Sequence, residues 1–231
     1  MSTVASIVTA VGYRVSLTLD ASSEPSSTEV IQWLNEDVKW VLAICAEEGS
    51  DIGQTEGSIT TVDGTASYTD FATTMYAPDE YGWIEAASTR TKIHLTSAKA
   101  KIGFSPGAAN EAQPERFYVD GANSVYFLPT PDQAYTIKIP YWQIQTTLAA
   151  TTDTMPFNGL FDPIFIENLA IRIQNRDEYN VEFEQSWMNF LSERVRNLIR
   201  MRINSRNRVK ITRSEGFTGE NVRPPKAAVQ Q

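Results

Sequence analysis

Histidine and cysteine are almost missing from this chain of 231 residues, which has one of each, His94 and Cys45. A lone thiol cannot close an internal disulfide, and without a CxxC pair there is no thiol redox or zinc-ribbon motif. A single histidine removes mechanisms that need two, and no second histidine or cysteine stands at ligand spacing, so neither zinc nor any cofactor is expected. No run of about 18 apolar residues occurs, so no membrane-spanning helix is expected. The N-terminus lacks a basic segment followed by a continuous apolar one, the mark of a secretory signal, and synthesis in the cytoplasm is the expectation. Neither G-x-x-x-x-G-K-[ST] nor G-x-G-x-x-G is present, which removes the common phosphate-cradling loops.

Two catalytic patterns need weighing. Gly103-Phe104-Ser105-Pro106-Gly107 matches G-x-S-x-G, but a nucleophile elbow needs a strand before it, a helix after it and a later histidine. Here proline follows the serine, Ala108-Ala109-Asn110 shows no apolar period, and the only histidine comes earlier, so the match is a glycine turn. The acids Glu47-Glu48-Ser50-Asp51 and Asp177-Glu178-Glu182-Glu184 lack the calcium-loop order and read as solvated helix ends. The chain is therefore read as no enzyme.

Apolar residues make up 42% of the chain and charged residues 21%, enough to bury a sizeable core. The charge is segregated. Twenty Lys+Arg stand against 28 Asp+Glu for a net charge of −8. Residues 1–189 hold 10 basic and 25 acidic side chains, whereas residues 190–231 hold 10 basic and 3 acidic. Such asymmetry marks a terminal arm for an anionic partner. Gly216, Gly219 and Pro224-Pro225 forbid a continuous helix through the arm.

Hydrophobic periodicity organises the rest. Val4, Val8, Val11 and Val15 share one helical face. Ser26-Ser27-Thr28-Glu29 reads as a capping box opening a helix with an apolar stripe from Val30 to Cys45 and Gly49 at its C′ position. Cys45 on that stripe is a core residue. The period then changes to strand-like. Asp63-Gly64 between Ser58–Val62 and Thr65–Thr69 predicts a type I′ hairpin. Tyr81–His94 is strand-like, with His94 on the polar face, and Ser97–Gln113 reads as a loop or irregular strand pair. Arg116–Val119 and Ser124–Leu128 flank a turn at Asp120-Gly121. Tyr135–Trp142 alternates as a half-buried strand in which Pro140 argues for an edge position or a bulge. Helical spacing returns after Asp162-Pro163, read as N-cap and N1, and again from Phe183 through Trp187, Phe190, Leu191, Val195, Leu198 and Ile199, with a polar break at Asn175–Tyr179. Trp187, Phe190 and Leu198 are expected to pack on Leu34, Val38 and Val41.

The fold expected is α+β: a bundle of about four helices from both chain ends, an inserted antiparallel β domain and an extended basic C-terminal arm. The divisions are 1–50 and 151–204 for the helices, 51–150 for the β-rich insertion and 205–231 for the arm. The arm is expected to be disordered when free, with Val209-Lys210-Ile211 able to add as an edge strand to a partner.

This arrangement resembles the head-to-tail adaptor, or connector, proteins of tailed bacteriophages, including the tail tubular protein A type. The residues carrying the likeness are Leu34-Asn35 in the helix opened by Ser26, Phe117–Gly121 followed by Val125–Asp132, Ala134–Trp142, and the paired helices Phe161–Asn175 and Val181–Arg200. The likeness covers residues 25–200; residues 1–20, 70–115 and the tail after 204 depart from it. The resemblance implies a virion protein at the head–tail interface. It would form a ring, usually of twelve copies, that binds the portal protein and a tail nozzle or next neck protein and lets double-stranded DNA pass without sequence-specific binding. An acidic body suits passage without adhesion. The portal-docking arm is read as Arg206, Arg208, Val209, Lys210, Ile211, Arg213, Phe217 and Arg223. Two other readings stay open here: a nucleic-acid-binding protein using the basic arm, and a tail-associated carbohydrate-binding module with Tyr68, Tyr76, Tyr81 and Trp83 as its platform.

Overall fold

The computed structural model describes residues 1–69, 71, 73–86, 89–103, 111–176 and 181–214, and over 101–103, 181–182 and 204–214 the description is of the backbone. Helix α1 spans Val4–Val15 and α2 spans Ser27–Glu47. Eight strands follow: β1 (Gln54–Thr60), β2 (Ser67–Tyr68), β3 (Met75–Pro78), β4 (Tyr81–Glu85), β5 (Arg90–Leu95), β6 (Arg116–Val119), β7 (Val125–Leu128) and β8 (Thr136–Gln143). Helices α3 (Asp162–Gln174) and α4 (Val181–Ser214) complete the order.

Both N-terminal helices start where local chemistry dictates. Ser26 Oγ accepts from the Glu29 N–H and the Glu29 carboxylate accepts from the Ser26 N–H at 2.8 Å, so two orphan donors are satisfied reciprocally. Gly49, at φ 61°, takes the left-handed position just past α2. Helix α1 is rich in β-branched residues with weak helix propensity, so packing must hold it: Val4, Ile7, Val8 and Val11 are buried. Its first turn is also tied to the connector before α3, because Val4 N–H donates to Asp153 O and Ala5 N–H to Thr151 O. Asn35 fixes the same connector from the other side. Its amide accepts from Leu148 N–H at 2.8 Å and donates to Leu148 O at 2.9 Å.

All four helices contribute to one hydrophobic core, joined by Ile52 and by Trp142 of β8. Trp142 Nε1–H donates to Ser50 O at 2.7 Å and so fastens the sheet to the end of α2. A second core, built on Ile84, Ile93, Phe117, Phe127, Ile137 and Ile139, lies within the sheet. Cys45 is fully buried, and burial pushes its thiol up to about 12, the behaviour of a packed residue rather than a nucleophile.

The sheet departs from the expected pairings in three places. Its order is β1-β8-β4-β5-β6-β7-β2, with β3 also on β8, and the short β5–β6 pair is parallel rather than antiparallel. The Asp63-Gly64 turn exists, closed by Thr65 N–H to Val62 O, yet it does not make a hairpin. A type I′ turn needs positive φ at both central residues, and only Gly64 has it, at 70°. The chain therefore splays here: β1 pairs with β8, and β2 pairs with β7. Third, β8 is no edge strand, being flanked by β1 on one side and by β3 and β4 on the other. Pro140 is accommodated where the β4 pairing ends at Lys138 and the β3 pairing begins at Tyr141, at the β3–β4 corner, where Asp79 N–H donates to Pro140 O. The segment expected as loop or irregular strands holds a 3-10 turn, Ala98–Gly103. Close packing of β4 on β8 depends on Gly82, where a Cβ would come 2.8 Å from Lys138 O.

Candidate docking surface

Helix α4 is the element that carries the charge reversal, and its anchoring shows how much of that charge is already used. Leu191, Val195 and Ile199 are fully buried, and Ile203 is the last described α4 side chain packed on the helical core. The expectation for Trp187, Phe190 and Leu198 is corrected accordingly. Trp187 and Leu198 are half-buried at the core margin, while Phe190 is 52% exposed. The seam selected by spacing is 191-195-199, and Phe190 falls one position, about 100°, to its side. The N-terminus of α3 is corrected too: Phe161 is the N-cap and Asp162 already lies in the helix, without a side-chain capping bond.

Three arginines of α4 are neutralised within the chain. Arg194 pairs with Glu167 of α3. Arg196 meets Glu47 at 2.9 Å and Glu48 at 3.2 Å. Arg200 meets Glu48 at 3.3 Å and Glu193 at 3.5 Å. The acids at the end of α2, which read as a solvated helix end, thus clasp α4. The hydrogen bond to Glu47, with the charge of Glu48 and Glu193, raises the Arg196 pKa above its usual value.

Beyond the clasp the helix continues. The sequence reading ends helical structure at 204, but the α4 backbone runs through Ser214. Arg206, Arg208, Val209, Lys210, Ile211 and Arg213 therefore lie in helix in the free chain, where disorder is the expectation; the edge-strand form of Val209-Lys210-Ile211 is expected only on a partner. No acid stands between Glu193 and Glu215 to draw these cations into local pairs. Phe217 and Arg223 lie outside the described residues, as do Ser105 and Asp177-Glu178.

A buried polar node joins the helices beneath this face. Trp187 Nε1–H donates to Asn168 Oδ1 at 3.1 Å, and Asn168 Nδ2–H donates to Asp37 Oδ1 at 2.9 Å. Asp37 is 2% exposed, its Oδ2 has no hydrogen-bond partner, and Arg172 lies 3.8 Å from Oδ1. Burial raises the Asp37 pKa to about 6, against the lowering pull of Arg172 and the Asn168 bond. Above the node, Trp33, Ile171, Arg172, Phe183, Trp187 and Met188 line an open groove between α3 and α4.

The other candidates do not come together as a catalytic or sugar site. His94 is exposed on the polar face of β5, edge-on to Tyr81. Tyr68 packs on the sheet core and donates its hydroxyl to Thr65 O, whereas Tyr81 and Trp83 lie on the opposite face beneath Lys92 and Arg90. With Tyr76 on β3, the four rings form no shared platform. Among the described residues no group of three His, Cys, Asp or Glu could hold a metal ion, and no helix is long and apolar enough to cross a membrane.

Comparison with known families settles the class. The family model for the SU10 adaptor protein matches residues 2–212. The chain belongs to that family. It is a phage structural adaptor, and the family is not one of enzymes. The match takes in residues 2–20 and 70–115, the segments that depart from the resemblance seen in the sequence, and it ends within the last turn of α4. A search of curated proteins finds no match.

Proposed function

We propose that this adaptor forms a ring, of about twelve copies as the resemblance implies, between the capsid portal and the tail, extends the DNA channel and docks on the portal through its basic C-terminal arm. The observation that carries the reading is the division of cations along α4. Arg194, Arg196 and Arg200 are consumed by Glu167, Glu47, Glu48 and Glu193. The cations from Arg206 onward lie past Ile203, the last described side chain packed on the core, where an anionic partner can take them. Arginine forks suit carboxylates on a protein surface. Phe183, Phe190 and Met201, exposed along α4, add apolar surface of the kind that marks protein contacts, here with the neighbouring copy. The tail nozzle or next neck protein takes the other end of the ring.

The test is co-sedimentation of the R206E/R208E/R213E chain with the portal protein at physiological salt. Loss of the complex, with an unchanged thermal melt, is the expected result. A complex that survives the charge reversal refutes the arm as the docking element. Loss of DNA retention with portal binding intact assigns the arm to nucleic acid instead.

A further inference from the structure

Residues 1–189 are so acidic that a cation there without a carboxylate partner is notable. Among the described residues up to Arg176, Arg14, Arg90, Lys138, Arg172 and Arg176 all form ion pairs. The exceptions with described side chains are Lys39, Lys92, Lys99 and Arg116. Three of these four belong to one part of the sheet. Lys92 lies on β5, Arg116 on β6 beside it, and Lys99 on the 3-10 turn that leaves β5.

Register places Lys92 and Arg116 on the same face. Ile93 of β5 and Phe117 of β6 point into the sheet core, so their neighbours Lys92, His94 and Arg116 point outward. His94 stands directly opposite Arg116. With strands about 4.8 Å apart and about 3.3 Å per residue along them, Lys92 and Arg116 sit roughly 8 Å apart at their Cα atoms. Lys92 Nζ rests 3.1 Å from the Tyr81 ring centroid, held by a ring rather than a carboxylate. Lys138 is on the same face and keeps its partners Glu56 and Glu85. The outcome is a cationic strip on an otherwise acidic body.

We infer that this outer face of β5 and β6, through Lys92 and Arg116 with Lys99 on the adjoining turn, contacts the phosphate backbone of duplex DNA and is the face turned to the channel. The inference rests on the reading of the chain as a channel-forming adaptor. The chemistry is that of sequence-independent phosphate contact: long flexible cations on the face of a sheet. Only about three contacts per copy are available. Each phosphate neutralised adds about 0.9 to the slope of log affinity against log salt, so three contacts guide DNA at physiological salt without gripping it. The acidic remainder of the body repels DNA elsewhere and directs it to the strip.

The test is fluorescence anisotropy of a labelled 30-base-pair duplex with the full chain at 50 and 150 mM salt. K92E and R116E are each expected to weaken binding about tenfold at 50 mM and to flatten the salt slope by about one. K39E changes the net charge equally but sits on α2, and should leave affinity within twofold. The same series in an R206E/R208E background separates the strip from the arm, and portal co-sedimentation of K92E should match wild type. The inference is overturned if K92E and R116E bind duplex as wild type does, if K39E weakens binding equally, or if wild type binds polyglutamate but no duplex. None of these outcomes depends on portal docking, so the two readings fail separately.

Discussion

Asp37 offers a perturbation whose sign can be worked out in advance. It sits on the apolar side of α2, 2% exposed, with one carboxylate oxygen bonded to Asn168 and the other unpartnered. Its pKa is about 6 in the folded chain against an ordinary value of 3.8. Between those values the folded state holds a proton that the unfolded state has released. Stability from this group is therefore largest below pH 3.8, falls as pH rises through the window, and is fully lost above pH 6. A difference of about two pKa units corresponds to roughly 3 kcal/mol.

Asp37→Asn removes the ionisation and keeps an oxygen to accept from Asn168. At pH 8 it should stabilise the chain by about 2–3 kcal/mol, which for a chain of this length raises Tm by roughly 5–10 °C. At pH 4 the variant and wild type should melt together. Asp37→Ala behaves differently, because it leaves the buried Asn168 amide without its acceptor, a cost of about 1–3 kcal/mol. Thermal melts followed by circular dichroism at pH 4, 6 and 8 read all three chains. An Asn variant that melts at or below wild type at pH 8, or a gain that does not shrink toward pH 4, refutes the reasoning.

Two further substitutions test the packing. Leu191→Ala empties a fully buried site on the α4 seam and should cost about 2–5 kcal/mol, whereas Phe190→Ala, at a half-exposed ring, should cost under about 1 kcal/mol; urea midpoints that reverse this order would invalidate the seam. Gly82→Ala brings a Cβ to 2.8 Å from Lys138 O, and since backbone must move, it should cost at least about 1–3 kcal/mol; an unchanged denaturation midpoint would mean that β4 and β8 do not approach this closely.

What could be read from the sequence was local. The Ser26–Glu29 box and Gly49 bound α2 through contacts three or four residues apart, and the structure has both. The β6–β7 hairpin around Asp120-Gly121 forms as expected, because Asp120 Oδ1 accepts from Ala122 and Ser124 N–H within the turn. Nonlocal partners were not legible. Nothing near Asp63-Gly64 announces that β1 will choose β8, far along the chain. The clasp of Glu47 and Glu48 on Arg196 and Arg200 needs α2 and α4 side by side before the acids cease to look solvated. Two signals were nevertheless present. Asp37 interrupts the stripe Val30-Leu34-Val38-Val41, and an acid on an apolar face is unusual enough to predict a buried partner. Phe190 is followed at i+4 and i+7 by Arg194 and Asn197, which no core-facing residue should be, while Leu191 is followed at i+4 by Val195 and at i+8 by Ile199.

The clasp also bears on the proposed docking arm, which can be helical and still take a partner. Within α4, Arg206, Lys210 and Arg213 recur at spacings of four and three, and like charges so placed cost about 0.2–0.5 kcal/mol per pair. Cations in the last turn gain a similar 0.3–1 kcal/mol from the helix dipole. The two effects nearly cancel, so charge alone neither favours nor breaks the helix past Ile203, whose backbone continues that of a packed segment. Arg194, Arg196 and Arg200 hold the packed segment to α2 and α3 and engage Glu167, Glu47, Glu48 and Glu193 in doing so. The balance beyond them is tipped by whatever acids a partner presents: pairing removes the repulsion and leaves the dipole gain intact. On the proposed reading, a basic helix end whose root is neutralised within its own chain is fixed at one end and offered to the portal at the other.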